Sequence, residues 1–202
     1  MDPCLRNVYL TFILGLVILA FFIMMYHRLQ IPINNIWIYV LAFILSIILI
    51  VVLGRIRFGL GKILIAIAFL ALLAYIFYPL VVNLTRSELW KFILITVIYF
   101  IILSILVFIL PTATFSKWGN ILFILLLLLI IFGIVGSLIF SNSPQFRLTF
   151  YILILIVFSG LILYDTYRIA NFCPQTDSIN SALSLILDAV NIFGATSGIG
   201  TL

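Results

Sequence analysis

The sequence predicts an all-α integral membrane protein, a single bundle of seven transmembrane helices. Three observations predict it: the composition, the length of the apolar runs and the brevity of what separates them. Hydrophobic residues make up 67% of the 202 residues and charged residues 7%, with a mean hydropathy of +1.48. A water-soluble domain carries about 45–50% apolar and about 25% charged residues, so these few charges cannot clothe a surface in water. The bilayer must act as the solvent, which excludes a secreted disulfide scaffold, a disordered chain and an ordinary cytosolic enzyme. The net charge of +5 is spread between apolar runs and forms no patch, so no nucleic-acid partner is expected.

Crossing about 30 Å of hydrocarbon takes about 20 apolar residues at 1.5 Å each. Seven stretches meet that length: 8–26, 36–54, 63–82, 92–110, 119–140, 149–170 and 180–201. Polar connectors separate them, such as His27-Arg28, Arg55-Ile56-Arg57 and Thr85-Arg86-Ser87-Glu88. None is long enough to fold alone, so residues 1–202 read as one membrane domain. Trp37, Trp90 and Trp118 stand near the start of a span, where an amphipathic ring favours the headgroup level. The first span is too long for a signal-peptide core and no small-x-small cleavage site follows it.

Orientation follows from the basic residues on alternate sides. One side, with the N-terminus, holds Arg6, Arg55, Arg57, Lys62, Lys117 and Arg168, and the other holds Arg28, Arg86, Lys91 and Arg147. The N-terminus is therefore expected in the cytosol. Cys4 and Cys173 are far apart in sequence and belong to no CxxC. The reading prefers two unlinked thiols to a disulfide, with palmitoylation of Cys4 as a lesser alternative.

Of the five acids, Asp2, Glu88 and Asp177 lie at ends or in connectors, whereas Asp165 and Asp188 fall within spans six and seven. A carboxylate at depth costs at least about 2.5 kcal/mol on insertion scales, so such residues usually face the bundle interior and serve a function. The plainer alternative is a hydrogen bond that only joins helices. With a short turn at about 172–180, spans six and seven form a hairpin, and both acids lie roughly 10 to 12 Å from that turn. Two inward carboxylates at one level resist being charged together and would share a proton. Deprotonated, they would offer hard oxygen ligands to a calcium ion in transit.

Tyr164, Ser184 and Asn191 are candidates for a polar lining around the acids, and Arg168 stands one turn from Asp165. Arg55 and Arg57 are candidate counter-ions, with cytosolic-side anchoring as the simpler role. Gly194 and Gly198 form a G-x-x-x-G, the spacing of a close helix crossing. Ser197 suggests a serine nucleophile only faintly, because His27, the one histidine, sits near the membrane surface. Nothing makes a positive case for an enzyme, and no cofactor is expected.

The stretch Phe158-Ser159-Gly160-Leu161-Ile162-Leu163-Tyr164-Asp165-Thr166 resembles the Tyr-Asp-Thr motif of the Bax-inhibitor family, the transmembrane Bax inhibitor motif proteins. Residues 177–193, DSINSALSLILDAVNIF, are similar to that family's closing pattern, and Leu5-Arg6-Asn7-Val8-Tyr9 to its entry motif. Position 167 departs from it, being Tyr where many members have Gln. The resemblance implies six helices around a central seventh and a pH-sensitive calcium leak that lowers internal stores and inhibits apoptosis. It also implies that Asp165 and Asp188 are the pH sensor, paired with an arginine at the end of span two, here Arg55 or Arg57. Implied partners are calcium, protons, membrane lipid and other membrane proteins of cell-death signalling. The implied location is the endoplasmic reticulum or Golgi for a eukaryotic or viral member, and the plasma membrane for a bacterial one. Two rivals stay open at this point. One is a proton-coupled cation exchanger on the same carboxylates, and the other is a non-conducting interaction protein using the glycine face of span seven.

Overall fold

The structure is a computed structural model that describes residues 3–31, 36–56, 59–110, 115, 117–140, 143–173 and 177–202. Among the described residues seven α-helices follow one another: α1 Pro3–Arg28, α2 Ile36–Arg55, α3 Leu60–Val82, α4 Arg86–Ile109, α5 Trp118–Phe140, α6 Pro144–Phe172 and α7 Ser178–Gly200. Each is long and apolar enough to cross a bilayer, and no strand occurs among the described residues. The chain is a multi-pass membrane protein of the all-helical class. The reason is the solvent, since hydrocarbon offers no partner for a bare N–H or C=O and the helix satisfies nearly all of them within one segment.

The helices overrun the apolar stretches at polar ends, because capping chemistry sets an end and hydropathy does not. Thr85 and Glu88 form a reciprocal box before α4: the Thr85 N–H and hydroxyl donate to the Glu88 carboxylate at 2.9 and 2.7 Å, and the Glu88 N–H donates back at 3.3 Å. α6 starts at Pro144, a position whose missing N–H costs nothing in a first turn. Ser143 receives the Phe146 N–H at 3.3 Å. α3 continues through Pro79 to Val82, and the Asn83 amide donates to the Pro79 carbonyl at 2.8 Å.

The chain packs as two compact units. The first comprises residues 1–89 and 172–186. In it α3 packs against both α1 and α2. Tyr26 of α1 meets Tyr75 and Tyr78 of α3 edge-on at 5.9 and 6.3 Å, donates to the Ala71 carbonyl at 2.9 Å, and Tyr39 of α2 stacks on Tyr75 at 5.1 Å. The second unit comprises residues 90–171 and 187–202. There Phe115, Val107, Leu163 and Tyr167 form a buried cluster with Trp118 and Tyr164 against it.

Burial separates α7 from the rest. In its most apolar stretch 61% of residues are buried, against 17–33% in the other six helices. α7 is also the least apolar of the seven, which fits a helix whose surroundings are protein more than lipid. The outward faces of the others are Leu, Ile, Phe and Val, as lipid requires.

One expectation is overturned. Cys4 and Cys173 are joined in a disulfide, 169 residues apart in sequence, with their Cα atoms 5.8 Å apart. Span parity places the start of α1 and the end of α6 on the same membrane face, and helix packing in the first unit brings the two sulfurs together. Sequence distance was the wrong measure for a chain that crosses the bilayer and returns.

Candidate functional site

Asp165 lies seven residues before the end of α6, and Asp188 ten residues into α7. At 1.5 Å per residue these are depths of roughly 10 and 15 Å from the two helix ends. The offset of about one turn exceeds what the sequence spacing suggests because α7 begins at Ser178, two residues before Asn180. Both acids belong to the second unit and both are buried, Asp165 at 8% exposure and Asp188 at 4%. The Asp188 Oδ2 atom has no hydrogen-bond partner among the described residues, and neither do the Thr166 hydroxyl and the Arg168 Nε. A buried carboxylate oxygen without a donor is costly, and it is what a site receiving protons or cations leaves open.

The other sequence-predicted residues fall in varied places. Ser184 donates to the Ser181 carbonyl at 3.0 Å and Asn191 to the Leu187 carbonyl at 2.8 Å, so each is held by its own helix. Tyr164 belongs with the Phe115 cluster, and its hydroxyl occupies the space where a Cβ on Gly119 would stand. Tyr167, the departure from Gln, packs its ring 5.5 Å from that of Phe115. Arg55 is the last residue of α2 and is exposed, and Arg57 lies outside the described residues. Gly194 and Gly198 are buried, and the Tyr151 ring lies against Gly198, so this glycine face packs within the chain.

Sequence reasoning missed a second polar centre, in the first unit. Lys62, two residues into α3 and only 2% exposed, places its Nζ 3.1 Å from Oδ2 of Asp177 and donates to the Ile56 carbonyl at 3.2 Å. The other oxygen of Asp177 caps α7, accepting from the N–H groups of Ile179 and Asn180 at 2.9 and 3.2 Å. One carboxylate thus ends a helix and neutralises a buried cation. The cap was legible, since an Asp directly before a Ser-Ile-Asn helix start is an N-terminal signal. The pair was not, because both residues counted only as charges in connectors or near span ends.

No group of three or more metal-binding side chains occurs among the described residues. Two acids can bind a cation in passage with water completing its shell, whereas a resident divalent ion would want more protein ligands.

A comparison with curated proteins finds no match. The family described as inhibitor of apoptosis-promoting Bax1 matches residues 2–196, a span that includes the paired acids, the disulfide and the Lys62 to Asp177 pair. Seven apolar helices with short connectors, an Asp in each of the last two and a match over nearly the whole chain lead to one conclusion: the chain belongs to the Bax-inhibitor family.

Proposed function

We propose that this protein is a passive, pH-sensitive calcium leak of the Bax-inhibitor type, in which Asp165 and Asp188 form the proton-responsive element. It is a conductor and not a catalyst, and it needs no cofactor. The observation that carries this reading is two buried acids on successive helices of the second unit, one with an oxygen lacking any described hydrogen-bond donor. Such a pair has two ways to relieve its mutual repulsion in a low-dielectric interior: it takes up a proton, or it takes up a cation. Protons and calcium therefore compete for the same oxygens, which is how a leak acquires a pH dependence.

The excess of Lys and Arg on the N-terminal side supports a cytosolic N-terminus. A leak so oriented in an internal membrane would lower stored calcium and damp cell-death signalling. The test is calcium release from proteoliposomes at several pH values for the wild type, Asp165→Asn and Asp188→Asn, each checked for helical content and monodisperse elution. Wild-type flux should vary with pH and both variants should flatten that dependence. An unaltered profile in both variants removes the acids from the mechanism, and stoichiometric proton movement with calcium replaces the leak by an exchanger.

A further inference from the structure

The Cys4–Cys173 bond ties the first turn of α1 to the end of α6, a few residues before the acid that caps α7. The described residues on either side of the α6–α7 connector are therefore each tied, Cys173 covalently to α1 and Asp177 through its ion pair with Lys62 to α3. That connector joins the two helices that carry Asp165 and Asp188. The face that holds it also carries the N-terminus and six of the ten basic residues, which places it in the cytosol under the orientation proposed above, on which this inference rests. Thiols there are kept reduced, and disulfides that form are mostly transient or redox-sensing.

We propose that Cys4 and Cys173 are a reversible thiol–disulfide exchange site, and that its reduction releases the end of α6 from α1. The reductant is a low-molecular-weight or protein thiol. Exposure sets the direction of attack, since Cys173 is 2% exposed while Cys4 is only partly covered. An incoming thiolate attacks the Cys4 sulfur, and the S–S bond breaks with Cys173 leaving as a thiolate that takes up a proton. A second thiol attacks the sulfur of the reductant in the mixed disulfide and expels Cys4, so two reductant thiols become one disulfide and both cysteines become thiols. Two electrons pass to the protein, and oxidation by a low-molecular-weight disulfide runs the same steps in reverse. Once the bond is open the tie to α1 is gone, and the Lys62 to Asp177 ion pair to α3 is the one of the two ties that remains.

The experiment uses the whole chain in proteoliposomes equilibrated in thiol–disulfide buffers of graded ratio, without denaturant. Exposed thiols are counted by maleimide–polyethylene glycol mass shift, and backbone exchange is followed by hydrogen–deuterium mass spectrometry. The expected result is no adduct in oxidising buffer, two adducts in reducing buffer, and recovery on return. Residues 171–173 and 177–181 should lose exchange protection on reduction in the wild type, whereas Cys4→Ser should show that loss in every buffer. A chain that stays at two adducts in oxidising buffer, a bond inert to reductant in the folded protein, a disulfide-linked dimer, or unaltered exchange at those residues overturns the inference. None of these readouts measures calcium, so a protein that passes no calcium sinks the proposed function and leaves the exchange site standing.

Discussion

Lys62 depends on Asp177 more than Asp177 depends on Lys62. The ammonium is 2% exposed and the carboxylate 27%, so water can solvate an abandoned Asp177 but can hardly reach an abandoned Lys62. Asp177→Asn keeps a side-chain oxygen to cap α7 yet strands a buried cation, and should destabilise the fold by about 3–5 kcal/mol. Lys62→Met keeps the volume and the cap, and should stay under about 1.5 kcal/mol. Detergent-melt midpoints for the two variants check this, and the reverse order would mean that the cap matters more than the charge. At this scale the sequence was partly legible. Asp165 and Asp188 stood out because an acid within an apolar helix has few innocent explanations. Lys62 did not, because a lysine at a helix end usually reaches the headgroups, and only the packing around it shows that this one turns inward to a carboxylate.

For the elements, bilayer thickness did the predicting. All seven helices were readable to within a few residues at most ends, the larger misses falling where capping residues extend the helix past the hydrocarbon, as at Pro144 and Arg86. The choice of packing neighbours obeys a different logic, visible at the glycines. A methyl group on Gly198 would run into the Tyr151 ring, whereas one on Gly54 meets nothing within 4 Å. Gly198→Ala should therefore cost about 1–3 kcal/mol through overpacking. Gly54→Ala should be neutral or stabilising by up to about 1 kcal/mol, since alanine favours the helix. Thermal unfolding of the pair in one detergent is the comparison. Equal effects would show that Tyr151 yields freely and that the close crossing is not a structural requirement. The spacing of Gly194 and Gly198 announced a close approach, but the identity of the neighbour on α6 lay outside what spacing can say.

Across the whole molecule, seven helices long and apolar enough to span a bilayer predict that the start of α1 and the end of α7 lie on opposite sides of the membrane. Epitope tags at each terminus should differ in accessibility after selective permeabilisation, the N-terminal one being cytosolic. Matching accessibility would mean that one helix fails to cross. Hydropathy and length by themselves determined the number of helices, their order and the two acids carried within the last two of them, because insertion into a bilayer is decided segment by segment by local transfer energy. Only the tertiary structure decided which residues meet: Cys4 with Cys173, Lys62 with Asp177, Tyr151 with Gly198. The physical reason is rotational. A helix apolar on every side carries no stripe to say which face turns inward, so its rotation about its own axis, and every contact that depends on it, is set by the fit of side chains against neighbouring helices.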